Sequence, residues 1–371
     1  MKHTPPGLRF LDAEIEQDKA RGLFRHRAIP GDDGALSYCS NDYLALARRP
    51  CPSAASGSGA SRLVSGERVV HARLEQAAAA LVEKPAALSF TSGYAANVGL
   101  LSSLAGAGDL IVSDALNHAS LIDGARLSRA RVVIVGHLDV NGVALALREH
   151  PFRRAFVVTE SYFSMDADSP DLPALRRICD ELGAALLVDE AHALGVLGEE
   201  GRGLCVAHGV SADAVMGTFG KAFGAGGAFV AGCPSLAAWL WNRARSFVFS
   251  TGLSPAIAAA SLEGMERAAA EPWRRLRVRE AANELRAGLR AMGIAPGGYG
   301  HVIPWVFGAV EDAVRAAESL RAAGIDVRAI RPPSVPEGTS RLRFTVNAAH
   351  SANDIDVALA AIRQLRARTN P

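Results

Sequence analysis

Two neighbouring stretches decide the fold: AALLVDEAHALG at residues 184–195 and AVMGTFGKAFGAGG at residues 214–227. Each opens on a run that is apolar at nearly every position, the pattern of a strand buried on both faces of a sheet. Ligands of open α/β sheets bind outside the carboxyl ends of the strands. The first stretch sets Asp189 and His192 at such an end; the second sets Thr218 and Lys221 there, among glycines. A carboxylate so placed is costly unless a cation or a donor meets it. An amine among small and apolar residues has a lowered pKa and is suited to condensing with a carbonyl. An isolated Asp-x-x-His pair is more often a helix cap with a packed histidine; the lysine run downstream reverses that balance.

Outward from these stretches, short β-like runs alternate with helical patterns: AALSF, LIVS, RVVIVG, AFVVTE, AFVAG and FVFS lie between about Ala86 and Ser250. The alternation predicts an α/β fold with a mainly parallel sheet of the seven-stranded type wrapped by helices. Residues 1–40 read as a short N-terminal segment, with a polar helix from about Arg9 to Arg27 and a strand at SYCS. Residues 41–254 read as the large α/β domain. After Ser254-Pro255 the chain turns to long Ala/Arg/Glu-rich helical patterns and then HVIPWVF, DVRAI and RLRFTV, a smaller α+β C-terminal domain over 255–371.

Composition narrows the partners. The chain has 371 residues, 49% apolar and 21% charged, enough for a sizeable core. Forty basic against thirty-eight acidic residues leave +2, too balanced for the broad positive field of a nucleic-acid or acidic-membrane binder. A small-molecule partner is expected instead. The five cysteines show no metal-ligand spacing, which points to a reducing compartment, and the N-terminus shows no apolar core of signal-peptide length, so a cytoplasmic location is expected. Residues 222–241 carry no charge, but glycines and Pro234 interrupt them; they read as loop, strand and helix rather than a membrane span.

Two familiar motifs fail. Asp189-Glu190-Ala191-His192 looks like the acidic box of a helicase, yet the nearest phosphate loop ends at Gly220-Lys221 with Ala222 where a Mg²⁺-binding hydroxyl belongs. The Gly57/Gly59 cluster has Arg62 at the third glycine of the dinucleotide fingerprint. What remains is the donor set of a pyridoxal 5'-phosphate site: an acid for the pyridine nitrogen, an amine for the aldehyde and donors for the phosphate. In SFTSGYAANVGLL, residues 89–101, Ser92, Gly93 and Tyr94 stand at a strand-to-helix turn, where backbone N–H groups and the helix dipole attract phosphate. His118, in SDALNHASLIDG, follows another strand and can stack on a cofactor ring.

These blocks, in this order, resemble the α-oxoamine synthases, fold-type I pyridoxal-phosphate enzymes that join an amino acid to an acyl thioester with loss of CO₂. The resemblance covers nearly the whole chain, from SNDYLAL (40–46) through SGASRLVSG, TSGYAAN, ESYFSMDAD, GTFGKAFGAGG and FSTGLSP to RLRFTVNAAH (341–350). It implies that Lys221 binds the cofactor aldehyde, Asp189 partners the pyridine nitrogen, His192 donates to the ring hydroxyl and His118 stacks on the ring. It further implies that Ser164 lies beside the cofactor, that Thr218 joins Ser92, Gly93 and Tyr94 around the phosphate, and that Thr251 reaches the phosphate of the neighbouring subunit of a homodimer with shared sites.

Within the family, IRPPSVPEGTSRLRFTV (330–346) is most similar to the biotin-pathway member that condenses L-alanine with a pimeloyl thioester, carried on coenzyme A or on an acyl-carrier protein. A glycine-using 2-amino-3-oxobutyrate ligase is the alternative; an aminotransferase or decarboxylase is a distant one. By the same resemblance Arg343 holds the substrate carboxylate, Arg331 is a second substrate-side arginine, and Arg25 and Asn41 are N-terminal substrate-side residues. Arg341 and Arg343 are expected to alternate across a strand, so that one of them faces the site.

Overall fold

The computed structural model describes residues 6–8, 10–25 and 34–369. The chain divides into two compact units. The larger comprises residues 41–280 and 347–349; the smaller comprises the first forty residues, 281–346 and 350–371.

The first strand, β1 (Leu36–Ser37), belongs to the smaller unit. The next seven build the sheet of the larger one: β2 (Ala86–Phe90), β3 (Leu110–Asp114), β4 (Arg131–Val135), β5 (Ala155–Glu160), β6 (Ala184–Asp189), β7 (Ala214–Thr218) and β8 (Ala228–Gly232). Their order across the sheet is β2-β8-β7-β6-β5-β3-β4. The strands from β7 to β4 are mutually parallel, whereas β8 runs antiparallel to both β7 and β2. This is the mainly parallel seven-stranded sheet expected. Strands β3 and β5 are buried at every residue, as strands covered by helices on both faces must be. β4 lies at the edge and leaves Val132 and Ile134 exposed. The core joins Ile111, Val158, Leu187 and Met216 of the sheet to Leu100 and Leu121 of the covering helices.

One strand candidate is corrected. FVFS does not form a strand: Arg245–Val248 is a short helix. A run of three apolar residues does not distinguish strand from helix by its period, and here Phe247 turns inward against Phe90 and Trp241, with ring centroids 5.6 and 5.1 Å away. The uncharged residues 222–241 fold as loop, β8 and the helix Pro234–Arg243. Among the described residues no helix is long and apolar enough to cross a membrane.

The sheet's geometry prepares the site. Asp114, Glu160, Asp189 and Thr218 are the last residues of β3, β5, β6 and β7, four adjacent parallel strands. The larger unit also runs past the expected break at 254/255. The helix Pro255–Ala270, capped by the Ser254 hydroxyl, packs against the loop after β7, where Ser261 Oγ donates to Gly226 O at 3.0 Å. The change of composition at Ser254-Pro255 therefore marks a helix start, not the edge of this unit.

In the smaller unit β9 (Val302–Gly308), β10 (Ile325–Asp326), β11 (Arg328–Ile330) and β12 (Ser340–Thr345) follow. The order β11-β12-β9 is antiparallel throughout, and β1 pairs with β10 in parallel. Tyr38 is fully buried, stacked on His350 with ring centroids 4.3 Å apart, and its hydroxyl donates to Asp354 O at 2.7 Å. The N-terminal helix spans Phe10–Ala20; Arg9, His26 and Arg27 of the longer helix expected lie outside the described residues. The expected alternation of Arg341 and Arg343 does not hold. Residues two apart on a strand share a face, and the two arginines, both buried on β12, stand opposite Ile330 and Arg328 of β11.

The packing of the helix Pro255–Ala270 leaves no room for a methyl group at Gly264, where a Cβ would sit 2.1 Å from Phe223 O. Gly264→Ala forces helix and loop apart. It is expected to lower stability by about 1–3 kcal/mol, the usual cost of overpacking, read as a lower denaturant midpoint; an unchanged midpoint contradicts this packing.

Candidate active site

The loop after β7 presents the lysine. Thr218 Oγ1 donates to Gly227 O at 3.0 Å and Phe219 N–H to the same carbonyl at 2.9 Å, which closes the turn around Lys221. Gly224 makes the turn possible: its φ is +62°, and a Cβ there would lie 2.4 Å from the Leu46 carbonyl carbon. Lys221 Nζ stands 2.7 Å from His192 Nε2. On the other side of that ring, His192 Nδ1 is 2.6 Å from the Tyr43 hydroxyl, which donates to Asn41 Oδ1 at 3.1 Å. With the Tyr43 proton given to Asn41, the hydroxyl accepts from His192 Nδ1–H, and Nε2 is left to accept from the lysine. Asn41, Tyr43, His192 and Lys221 thus form one relay.

A second relay starts at Asp189, which is 5% exposed. Its Oδ1 accepts the Ala191 N–H at 2.8 Å and its Oδ2 accepts Asn97 Nδ2 at 2.8 Å. Asn97 Nδ2 also reaches Ser120 Oγ at 2.9 Å, and Ser120 Oγ lies 2.8 Å from His118 Nδ1. The Ser120 N–H donates to that same Nδ1 at 3.2 Å, so in the neutral ring the proton is on Nε2. Burial lowers the His118 pKa; Asp189 opposes that shift and Lys221 reinforces it.

Ser92 caps the helix Gly93–Leu104, its hydroxyl accepting Ala95 N–H at 3.1 Å. Gly93 and Tyr94 open the helix, where N–H groups lack intrahelical acceptors and the dipole favours an anion. The Tyr94 hydroxyl donates to Asp123 and its ring is half exposed. Ser164 is buried in the loop after β5, and Thr251 is exposed in the loop before the helix Pro255–Ala270. The set fits pyridoxal phosphate: an amine, an enclosed carboxylate, two imidazoles and a helix N-terminus within one unit. Asn97 Oδ1 beside Asp189 is a buried acceptor with no partner in the protein.

The smaller unit holds the arginines. Arg25 Nη2 donates to Ser334 Oγ at 3.1 Å and Arg331 Nη2 to Phe24 O at 2.8 Å. Both arginines and Ser334 line a cleft of about 1000 Å³ that is also lined by Lys19, Arg321, Arg328, Glu318 and Asp326, with Asp326 paired to Arg321 at 3.0 Å and to Arg328 at 3.4 Å. Burial, and then the neighbouring Arg25, lower the Arg331 pKa. Arg343 lies on β12 and is not part of that lining.

Several residues in these networks escaped the sequence reading. Tyr43 sat in a quoted block without a role, and Asn97 and Ser120 are polar residues on the buried sides of helices, a signal that was available. Ser334 had no signal beyond the blocks around it. His137 had none at all. Its Nδ1 lies 2.9 Å from Asp114 and its Nε2 3.2 Å from both oxygens of Asp168, and Phe163 packs edge-on at 4.5 Å. It fastens the loop that carries Ser164 to the ends of β3 and β4. Burial lowers the His137 pKa, but the hydrogen bonds and charges of Asp114 and Asp168 outweigh burial and raise it from its ordinary 6.5 to about 10.

A family model described as aminotransferase class I and II matches residues 34–362. The chain is 45% identical over 378 residues to the 8-amino-7-oxononanoate synthase of Anaeromyxobacter dehalogenans, covering 96% of this chain and 95% of that one. It is also similar to a solved serine palmitoyltransferase of S. paucimobilis with PLP and myriocin bound: TM-score 0.89, 27% identity, 97% of this chain and 98% of that one. A solved 8-amino-7-oxononanoate synthase of Francisella tularensis matches with TM-score 0.76 at 25% identity, over 91% of this chain and all of that one.

The His137 clasp has a signed pH dependence. Its folded pKa is raised, so its contribution to stability is complete below about pH 6.5 and is lost as pH rises through about 10. His137→Gln should therefore be less stable than the parent at pH 7, with the gap between their denaturant midpoints closing by about pH 11. A gap that is constant from pH 6 to 11 contradicts the charged clasp.

Proposed function

The chain belongs to the class I and II aminotransferase family and, within it, to the 8-amino-7-oxononanoate synthases, and from that premise we propose how its own residues carry the reaction. It is a pyridoxal-phosphate-dependent acyl-transferring enzyme. It condenses L-alanine with a pimeloyl thioester to 8-amino-7-oxononanoate, CO₂ and free thiol, a step of biotin biosynthesis. The observation that carries the residue assignment is the 2.7 Å approach of Lys221 Nζ to His192 Nε2 in the same unit as the enclosed Asp189.

When bound, the pyridoxal ring supplies the electron sink that acidifies the alanine α-proton and accepts the electron pair left by CO₂. Lys221 would hold the cofactor, and its amine would take the alanine α-proton and later return a proton to the product carbon. Asp189, its oxygens fixed by Asn97 and Ala191, keeps the pyridine nitrogen protonated. His192, oriented by Tyr43 and 2.7 Å from Lys221 Nζ, would donate to the ring hydroxyl of the bound cofactor. The His118 ring would cover the cofactor face, Ser164 would lie beside it, and Ser92, Gly93, Tyr94 and Thr218 would hold the phosphate.

Arg343 takes the alanine carboxylate through its planar fork. Arg331, Arg25 and Ser334, which share one cleft, offer two guanidinium groups and a hydroxyl suited to the distal carboxylate of the seven-carbon acyl chain. Asn41 acts on the substrate side through Tyr43. The working form is a homodimer in which Thr251, exposed on its own subunit, reaches the phosphate held by the other. The acyl group arrives on coenzyme A or an acyl-carrier protein. All five cysteines are unpaired, which suits a cytoplasmic location.

Release of free thiol, followed with alanine, glycine and serine crossed against acyl thioesters of several lengths on both carriers, tests this. Alanine with the pimeloyl thioester is expected to be fastest; a preference for glycine with a short acyl chain contradicts the proposal. In the same assay Lys221→Ala should lose at least about a hundredfold to ten-thousandfold in rate, the range of acid–base catalysis. Arg343→Lys should weaken alanine use by about 1–3 kcal/mol and thioester use far less.

A further inference from the structure

Asp189 is not alone at its end of the sheet. Glu160, the last residue of β5, stands directly across the parallel register from it and is 4% exposed. Two carboxyl groups enclosed side by side are unfavourable unless one keeps its proton or both are well paired. Burial and then Asp189 raise the Glu160 pKa from its ordinary 4.5 to about 8, with Lys221 and the His118 N–H opposing and Asp114 adding to the rise. Such a group is held in place against its own desolvation, and its bond shows what it holds. Glu160 Oε1 accepts the backbone N–H of His118 at 2.8 Å. His118 is the residue before the helix Ala119–Leu127, with φ −56° and ψ 146°, so this bond fixes the chain where it turns into the helix and from where the ring projects. The ring end is fixed separately, by Ser120 on Nδ1.

We propose that Glu160 is a positioning residue for His118, anchoring its backbone so that the imidazole meets the cofactor face at a fixed angle. The proposal rests on the assignment of His118 to that face. An acceptor oxygen is what the His118 N–H needs, and it is present whether the carboxyl is charged or protonated. The amide of Glu160→Gln supplies the same acceptor without the charge. Glu160→Ala removes it.

The test uses the cofactor-loaded protein and reads two properties other than turnover: the rate at which pyridoxal phosphate is lost on dialysis, and the visible circular dichroism of the bound cofactor, which reports ring orientation. Glu160→Gln should lose cofactor within about twofold of the parent rate and keep its dichroism, whereas Glu160→Ala should lose it roughly tenfold faster with reduced dichroism, the scale of one lost hydrogen bond. In a His118→Ala background the further change Glu160→Ala should add less than about twofold, because a residue acting through another has nothing left to act on. If Glu160→Ala does not fold, Glu160→Asp, shorter by one methylene, withdraws the same acceptor and is measured in its place.

A Gln variant as impaired as the Ala variant overturns the proposal, since charge and not the acceptor is then what matters. So does a full tenfold effect of Glu160→Ala in the His118→Ala background, or parent-like behaviour of Glu160→Ala alone. If His118→Ala by itself leaves both properties unchanged, the placement of His118 on the cofactor face is wrong, and the role of Glu160 falls with it.

Discussion

A carboxylate enclosed in a sheet is the constraint from which the rest of the larger unit follows. Asp189 ends β6 in the interior of a seven-stranded sheet with strands on both sides. A charge in that position is tolerated only if its hydrogen-bonding capacity is filled. Two donors do this in the protein, the Ala191 N–H from the turn after the strand and Asn97 from the helix Gly93–Leu104. Each tie has a consequence. The first sets the turn that carries His192 toward Lys221. The second orients the helix whose N-terminus faces the same end of the sheet, and through Ser120 it extends to His118.

Catalytic parts from distant stretches meet because parallel strands all deliver their carboxyl ends to one edge. Asp114, Glu160, Asp189 and Thr218 hold the same position on adjacent strands, and each has its own use: Asp114 clasps His137, Glu160 holds the His118 backbone, Asp189 anchors Asn97 and Thr218 closes the lysine loop. Gathering three carboxyl groups has an energetic consequence. With a folded pKa of about 8, Glu160 keeps its proton where the unfolded chain has already released it, so it removes stability as pH rises from about 4.5 to 8. His137, whose folded pKa is likewise raised, loses its contribution in the same direction at higher pH, from about 6.5 to 10, and stays charged between two acids at neutrality.

The sheet was legible because buried parallel strands read as continuous apolar runs, and seven of the eight proposed runs are its strands. FVFS misled because three apolar residues carry no period. The residues at strand ends were legible for a related reason: a charge that interrupts an apolar run, as at Asp189 or after the run ending at Thr218, is conspicuous. Partners supplied from elsewhere in the chain were not. Tyr43 lies 149 positions from the histidine it orients, and His137 sits 31 positions from Asp168. No local pattern encodes such pairings. The arginines of β12 show a different limit, since a strand's period assigns Arg341 and Arg343 to the same face and cannot choose between them.

The central claim is that Lys221, held among Asp189, His192 and the glycines of its loop, is the residue that bonds to pyridoxal phosphate. Borohydride reduction of the cofactor-loaded protein, followed by proteolysis and peptide mass mapping, measures this directly. The account predicts one pyridoxyl-phosphate adduct per chain, on the peptide containing Lys221. An adduct on Lys84 or another lysine, or none on a protein that retains the cofactor's visible absorbance, would contradict it.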